Sequence, residues 1–151
     1  MTRIHLATAL VRRGNAVLLV ASRYPNHPQP LWNMPGGRQL PGELLSQTAV
    51  RELLEETSLR GAVRELCYVS ESYDGETHFT NFTFAVDASG EICVPAANAD
   101  HVCEAAWTPI PEIAGRIAVA VVREPLLAYL NETLPRYAGY TEAGVSIVFP
   151  D

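Results

Sequence analysis

Four glutamates, Glu43, Glu52, Glu55 and Glu56, and one arginine, Arg51, crowd into residues 43–56. The apolar residues Leu45, Ala49 and Leu53 recur every four positions between them, widened by Val50 and Leu54, and this period predicts a helix from Glu43 to about Ser58. With Leu44 set at 0° and about 100° per residue, Glu55 falls near ~20°, Glu52 near ~80° and Glu56 near ~120°. Three carboxylates therefore share one arc, at the border of the packed side. Like charges this close repel one another unless a cation or a base sits among them. Arg51 offsets part of the repulsion by pairing with Glu55 one turn on. Oxygen ligands in this number suit Mg2+ or Mn2+ far better than zinc. Such ions hold a pyrophosphate, withdraw charge from phosphorus and generate hydroxide from a bound water.

Taken alone, the run Arg51-Glu52-Leu53-Leu54-Glu55-Glu56 is equally the pattern of a solvated helix face. The segment upstream, Trp32-Asn33-Met34-Pro35-Gly36-Gly37, tips the balance toward chemistry, because its glycines let backbone approach metal and phosphate closely. Pro41 and Gly42 then set a sharp turn into the helix. Gly37, five residues, Glu43, seven residues, then Arg51 to Leu59 resembles the Nudix box, a glycine, x5, E, x7, R-E-U-x-E-E-x-G-U with U a bulky aliphatic. One specified position departs: Ser58 stands where the family has glycine. A serine there must strain into a left-handed backbone, at about 1 kcal/mol, or end the helix differently.

The resemblance implies an α/β/α sandwich around a mixed β-sheet with a loop-helix-loop catalytic motif. It implies metal held by Glu52, Glu55, Glu56 and the backbone of Gly36 or Gly37, with Glu52 and Glu55 as the catalytic carboxylates and Arg51 and Glu43 bracing the loop. Glu104, three residues before Trp107, stands where relatives often carry a further metal or water-activating carboxylate; a solvated strand glutamate is the alternative. Trp32, Tyr73 and Phe79 are candidates to stack on a base, or core residues. Arg23 and Arg38 are candidates to meet phosphate, or surface charges.

The implied activity is metal-dependent hydrolysis of a phosphoanhydride bond in a nucleoside di- or triphosphate or related derivative. The alternatives are a nucleotide-sugar pyrophosphatase of the ADP-ribose type and a non-catalytic nucleotide sensor; retention of every box carboxylate argues against the sensor. With 36 residues ahead of Gly37, the extra N-terminal domain of many ADP-ribose-cleaving relatives is not expected.

The bulk composition is compatible with this chemistry. At 151 residues, 48% apolar and 19% charged, the chain is expected to form one domain over 1–151. No apolar run long enough to cross a membrane and no signal peptide is read, so a cytoplasmic protein is expected. The net charge of −6 argues against a track for duplex nucleic acid but not against a small phosphorylated ligand bridged by a cation. All eleven basic residues are arginine, which excludes a lysine Schiff base and a P-loop lysine. Cys67, Cys93 and Cys103 have no metal or disulfide spacing and read as small buried residues. The histidines His5, His27, His78 and His101 form no ligand pair.

Around the central helix, Ile4–Arg12 and Ala16–Ser22 read as a β-hairpin about Arg13-Gly14-Asn15. Tyr24–Leu31, with three prolines, reads as a loop. Arg64–Ser72 and Thr77–Val86 read as strands joined at Asp74-Gly75, with further strands at Glu91–Val94 and Glu104–Thr108. Pro111–Ile117 and Ala118–Asn131 read as helix. The tail from Leu134 has no clear period and is expected to hold a short strand at Val145–Phe149 or to serve as the arm of a homodimer.

Overall fold

A computed structural model describes residues 1–133 and 136–146. Two sheets lie between helices. The larger is mixed, in the order β5-β1-β7-β6-β9, built from β1 (Thr2–Leu10), β5 (Gly36–Arg38), β6 (Arg60–Asp74), β7 (Thr77–Ser89) and β9 (Tyr137–Tyr140). Here β1 runs parallel to β7 and β9 parallel to β6, and the other pairs are antiparallel. The smaller sheet centres on β3 (Ala16–Ser22), flanked by β2 (Arg12–Arg13), β4 (Leu31–Asn33) and β8 (Val102–Pro109). Helix α1 (Leu45–Thr57) packs through Ala49 and Leu53 on Ala7, Ala9, Leu18 and Val86. On the other side, α2 (Ile110–Arg116) and α3 (Ala120–Leu130) bury Ile113 and Leu126 against Leu10, Leu19 and Tyr68. Helices on both faces of the strands make this an α/β/α sandwich, as the resemblance implies.

The predicted N-terminal hairpin is replaced by a change of sheet. β1 pairs over nine residues with β7, burying Ala7 and Ala9, and only Arg12–Arg13 fold back on Ala16–Val17. Burial of both faces of β1 outweighs local hairpin closure. The Asp74-Gly75 turn holds, with Gly75 at φ +59°, but both its strands are longer than predicted. No strand forms at Glu91–Val94. Instead the Cys93 N–H donates to Thr57 O at 2.9 Å and closes the C-terminal end of α1. In the tail, β9 lies at Tyr137–Tyr140, and most of the predicted strand Val145–Phe149 lies outside the described residues. Cys67 is buried as expected, whereas Cys93 and Cys103 are exposed. Among the described residues no helix is long and apolar enough to cross a membrane.

Candidate metal and nucleotide site

The loop before α1 turns through Gly42 at φ +80°, a conformation that favours glycine. The helix then starts at Leu44, whose N–H donates to Gln47 Oε1 at 2.8 Å, satisfying a donor that the helix itself leaves free. Its other end has the left-handed residue that the box pattern anticipates: Ser58 sits at φ 67°. The serine strains into that conformation, and its Oγ donates to Cys93 O at 2.5 Å.

Arg51 organises the loop. Its Nε donates to Glu43 Oε2 at 2.7 Å and its Nη2 to Glu43 Oε1 at 3.1 Å, while Nη1 reaches Glu52 Oε1 at 3.0 Å and Glu55 Oε2 at 3.1 Å. Nη2 also donates to the carbonyl of Arg38, so the guanidinium ties β5 to α1. Glu43 further accepts from Thr48 Oγ1 and the Leu40 N–H. The hydrogen bond from Arg51 is the main reason that the Glu43 carboxyl is held down at about 2.

Burial divides the three helix carboxylates. Glu52 is 4% and Glu56 1% exposed, whereas the Glu55 side chain is 43% exposed. The Gly36 N–H donates to Glu56 Oε1 at 3.2 Å, anchoring β5 over the helix. A Cβ on Gly36 would lie 2.5 Å from the backbone Ala7 O, so glycine is required there, and one on Gly37 would lie 2.5 Å from Glu52 Oε1, a side-chain end. The second contact shows how closely Glu52 approaches backbone.

Asp100 joins this group, and nothing in its local sequence signals it. Oxygens of Glu52, Glu55 and Asp100 all lie within 4.8 Å of one another. The loop that delivers Asp100 is pinned by Asn98, whose Oδ1 accepts from the Val102 N–H at 2.9 Å and whose Nδ2 donates to Val102 O at 3.0 Å. Burial first, and Asp100 second, pushes both Glu52 and Glu56 well above the usual carboxylate range. Burial, with Glu56 and Asp100 nearby, pushes the Tyr24 phenol up to about 12. Glu52 Oε2 is also buried without a hydrogen-bond partner among the described residues. A divalent cation bound by oxygen would satisfy that atom and offset the repulsion, so the donor set fits Mg2+ or Mn2+.

These residues line one end of a cleft of about 550 Å3, within the usual range of roughly 300–1,000 Å3 for ligand pockets. Arg38 and Phe79 also line it. The other sequence candidates lie elsewhere. Glu104 is exposed on β8 opposite Ala21, outside the group of Glu52, Glu55 and Asp100, because it is the loop ahead of β8 that reaches α1. Trp32 packs on the core beneath α2 and α3, with the Arg116 guanidinium 4.7 Å from its ring centre. Arg23 is exposed and does not line the cleft; its N–H donates to His101 O.

The sequence matches the NUDIX domain family over residues 2–130. This chain belongs to the Nudix family. Among relatives, a Mycobacterium tuberculosis protein named MutT4 is 32% identical over 114 residues, covering 72% of this chain and 44% of that protein. A Bacillus subtilis protein, whose name provisionally assigns 8-oxo-dGTP diphosphatase, is 56% identical over 34 residues, 22% of this chain and 23% of that one. The chain thus matches less than half the length of either relative. The Nudix fold itself recurs in a Nudix hydrolase structure from Nitrosomonas europaea, with a TM-score of 0.75 and 23% identity over 90% of this chain and 93% of that one.

The close approach at Gly37 gives a direct prediction for this Nudix box. Gly37→Ala must displace the Glu52 carboxylate, a flexible side-chain end, more than it disturbs the fold. Calorimetric titration of Mn2+ is expected to show affinity reduced about 10- to 100-fold, as for disturbed metal-site support, with melting shifted by only a few degrees. Unchanged Mn2+ affinity would contradict the assignment of Glu52 to the candidate metal site.

Proposed function

We propose that this protein is a metal-dependent hydrolase that splits a phosphoanhydride bond in a nucleoside di- or triphosphate. The observation that carries the reading is the convergence of Glu52, Glu55 and Asp100 oxygens within 4.8 Å at one end of a cleft large enough for a nucleotide. Glu52, Glu55 and Asp100 would hold Mg2+ or Mn2+, with Glu56 and the Gly36 backbone supporting them from beneath. When bound, such a cation supplies Lewis acidity to the phosphate oxygens and makes water easier to deprotonate.

The chain's own residues do the rest. Water oxygen forms a bond to phosphorus, the bridging P–O bond breaks toward the leaving phosphate, and a proton passes from the water to a carboxylate. Glu52 and Glu55 are the carboxylates assigned to this work, and Arg51 keeps Glu52 and Glu55 in register without touching substrate. Arg38 at the cleft wall is assigned to the phosphates and Phe79 to the nucleoside. The Bacillus subtilis relative's name, which concerns a purine nucleoside triphosphate, supports the substrate class.

The test is a nucleotide panel incubated with purified protein and either Mg2+ or Mn2+, with products identified by mass. Release of a nucleoside monophosphate together with phosphate or pyrophosphate, abolished by EDTA and restored by added metal, is the expected result. A protein that binds Mn2+ but turns over no nucleotide would overturn the reading.

A further inference from the structure

The cleft is chemically uneven, and its unevenness bears on what part of a substrate lies away from the carboxylates. Its arginines, Arg38 and Arg51, both sit on the elements that form the metal end, while the part of the cleft lined by β6 and β7 has Ser70, Ser72, Phe79 and Asn81. The cleft-lining residues there offer a phosphate no guanidinium, so the far part of the cleft suits the uncharged part of a substrate. The floor between the two ends is the face of the large sheet, and it is polar where apolar side chains would pack at lower cost. Ser70 lies in register with Asn81, which in turn lies in register with Leu6, and Ser72 lies in register with Phe79. Ser70 and Ser72 are buried.

Asn81 is the centre of this floor. Its Nδ2 donates at 3.3 Å to both Thr8 Oγ1 and Thr83 Oγ1, and those hydroxyls bond each other at 2.7 Å. Thr83 is fully buried, so the amide is held by a network inside the sheet and not by solvent. With Nδ2 committed, Oδ1 is the atom left over, and it is buried without a partner among the described residues. An acceptor left unsatisfied in this way is destabilising, and a ligand N–H that donates to it removes that penalty. Phe79, an aromatic residue two along on the same strand face, also lines the cleft. A nucleobase combines what this region accepts: no charge, a flat face and N–H donors on its edge.

Resting on the hydrolase reading above, we infer that Asn81 is the specificity-determining residue, its side-chain carbonyl accepting a hydrogen bond from an N–H on the nucleobase edge. A site built to hydrogen-bond one group discriminates strongly against substrates that lack it.

The experiment compares the wild type with Asn81→Ala and with Asn81→Thr, which keeps a hydroxyl beside Thr8 and Thr83 if the alanine variant folds poorly. Each is assayed on the four common nucleoside triphosphates and on ribose 5-triphosphate, which has no base. For the preferred nucleotide, kcat/KM is expected to fall about 10- to 100-fold, mainly through KM, so that preference among bases flattens. Turnover of ribose 5-triphosphate should stay within about twofold of wild type. Equal losses on ribose 5-triphosphate would assign Asn81 a purely structural role and overturn the inference. So would a wild type without base preference, or folded variants that keep that preference. Absence of any nucleotide hydrolysis by the wild type would instead remove the hydrolase reading, and the inference with it.

Discussion

Glu52→Gln is expected to lower nucleotide hydrolysis by about 10²- to 10⁴-fold, the range for removing a positioned acid or base, while leaving the metal-free protein at least as stable as the wild type. The two effects share one cause. Burial of Glu52, and Asp100 beside it, disfavour its charged form and raise its proton affinity in the folded state. A carboxyl raised in this way binds more protons folded than unfolded once pH exceeds its ordinary value of 4.5, so stability falls as pH rises above that value. Glutamine is nearly isosteric and removes the charge. In EDTA-treated samples the melting temperature of the variant should therefore decline less with rising pH than that of the wild type. Metal should raise melting of the wild type more than of the variant, because a ligand that binds the folded state stabilises it by mass action. Full activity in Glu52→Gln, or identical pH slopes for the two metal-free proteins, would refute the placement of this charge.

Arg51→Ala should cost about 2–4 kcal/mol of stability, somewhat below the usual cost of breaking a fully buried ion pair because the guanidinium is partly exposed. The reason is the number of groups that it satisfies: both oxygens of Glu43, one each of Glu52 and Glu55, and the Arg38 carbonyl. Arg51→Lys should recover less than half of the loss, since one ammonium cannot reproduce the fork that spans Glu43 and Glu52. Acid titration separates this from a general packing defect. Glu43 is depressed to about 2, so its contribution is present above 4.5 and is lost as pH falls toward 2. Urea denaturation at neutral pH should show the full difference between Arg51→Ala and the wild type, and the difference should shrink in that acid window. A difference independent of pH would place the stabilisation elsewhere.

Much of the site is legible in one stretch of sequence because helices are local. The spacing of Glu52, Glu55 and Glu56 puts them on one arc whatever surrounds the helix, and the pairing of Arg51 with Glu55 follows from the same turn. The substitution of Ser58 for glycine is also local, and of the two outcomes open to it the structure shows the strained one, with φ at 67°. Where tertiary packing competes with local tendency, the reading of short segments fails. Val11 is buried as the chain passes from one sheet to the other, and that long-range demand divides what looks like a hairpin.

The division of labour among the carboxylates is likewise beyond periodicity. Burial of Glu52 and Glu56 depends on β5 lying across α1, which the Gly36 N–H and the space at Gly37 permit. Asp100 reaches Glu52 because β8 pairs with β3 and brings the preceding loop over the helix, while Glu104, the more conspicuous residue, stays exposed on the strand itself. Spacing within a helix carries the charge pattern and its affinity for a hard cation, since each angle is set by the residues between. Strand pairing across distant parts of the chain decides which further carboxylate faces that pattern, and whether Trp32, Arg23 or Phe79 meets the cleft, because those contacts depend on folding energies summed over the whole core.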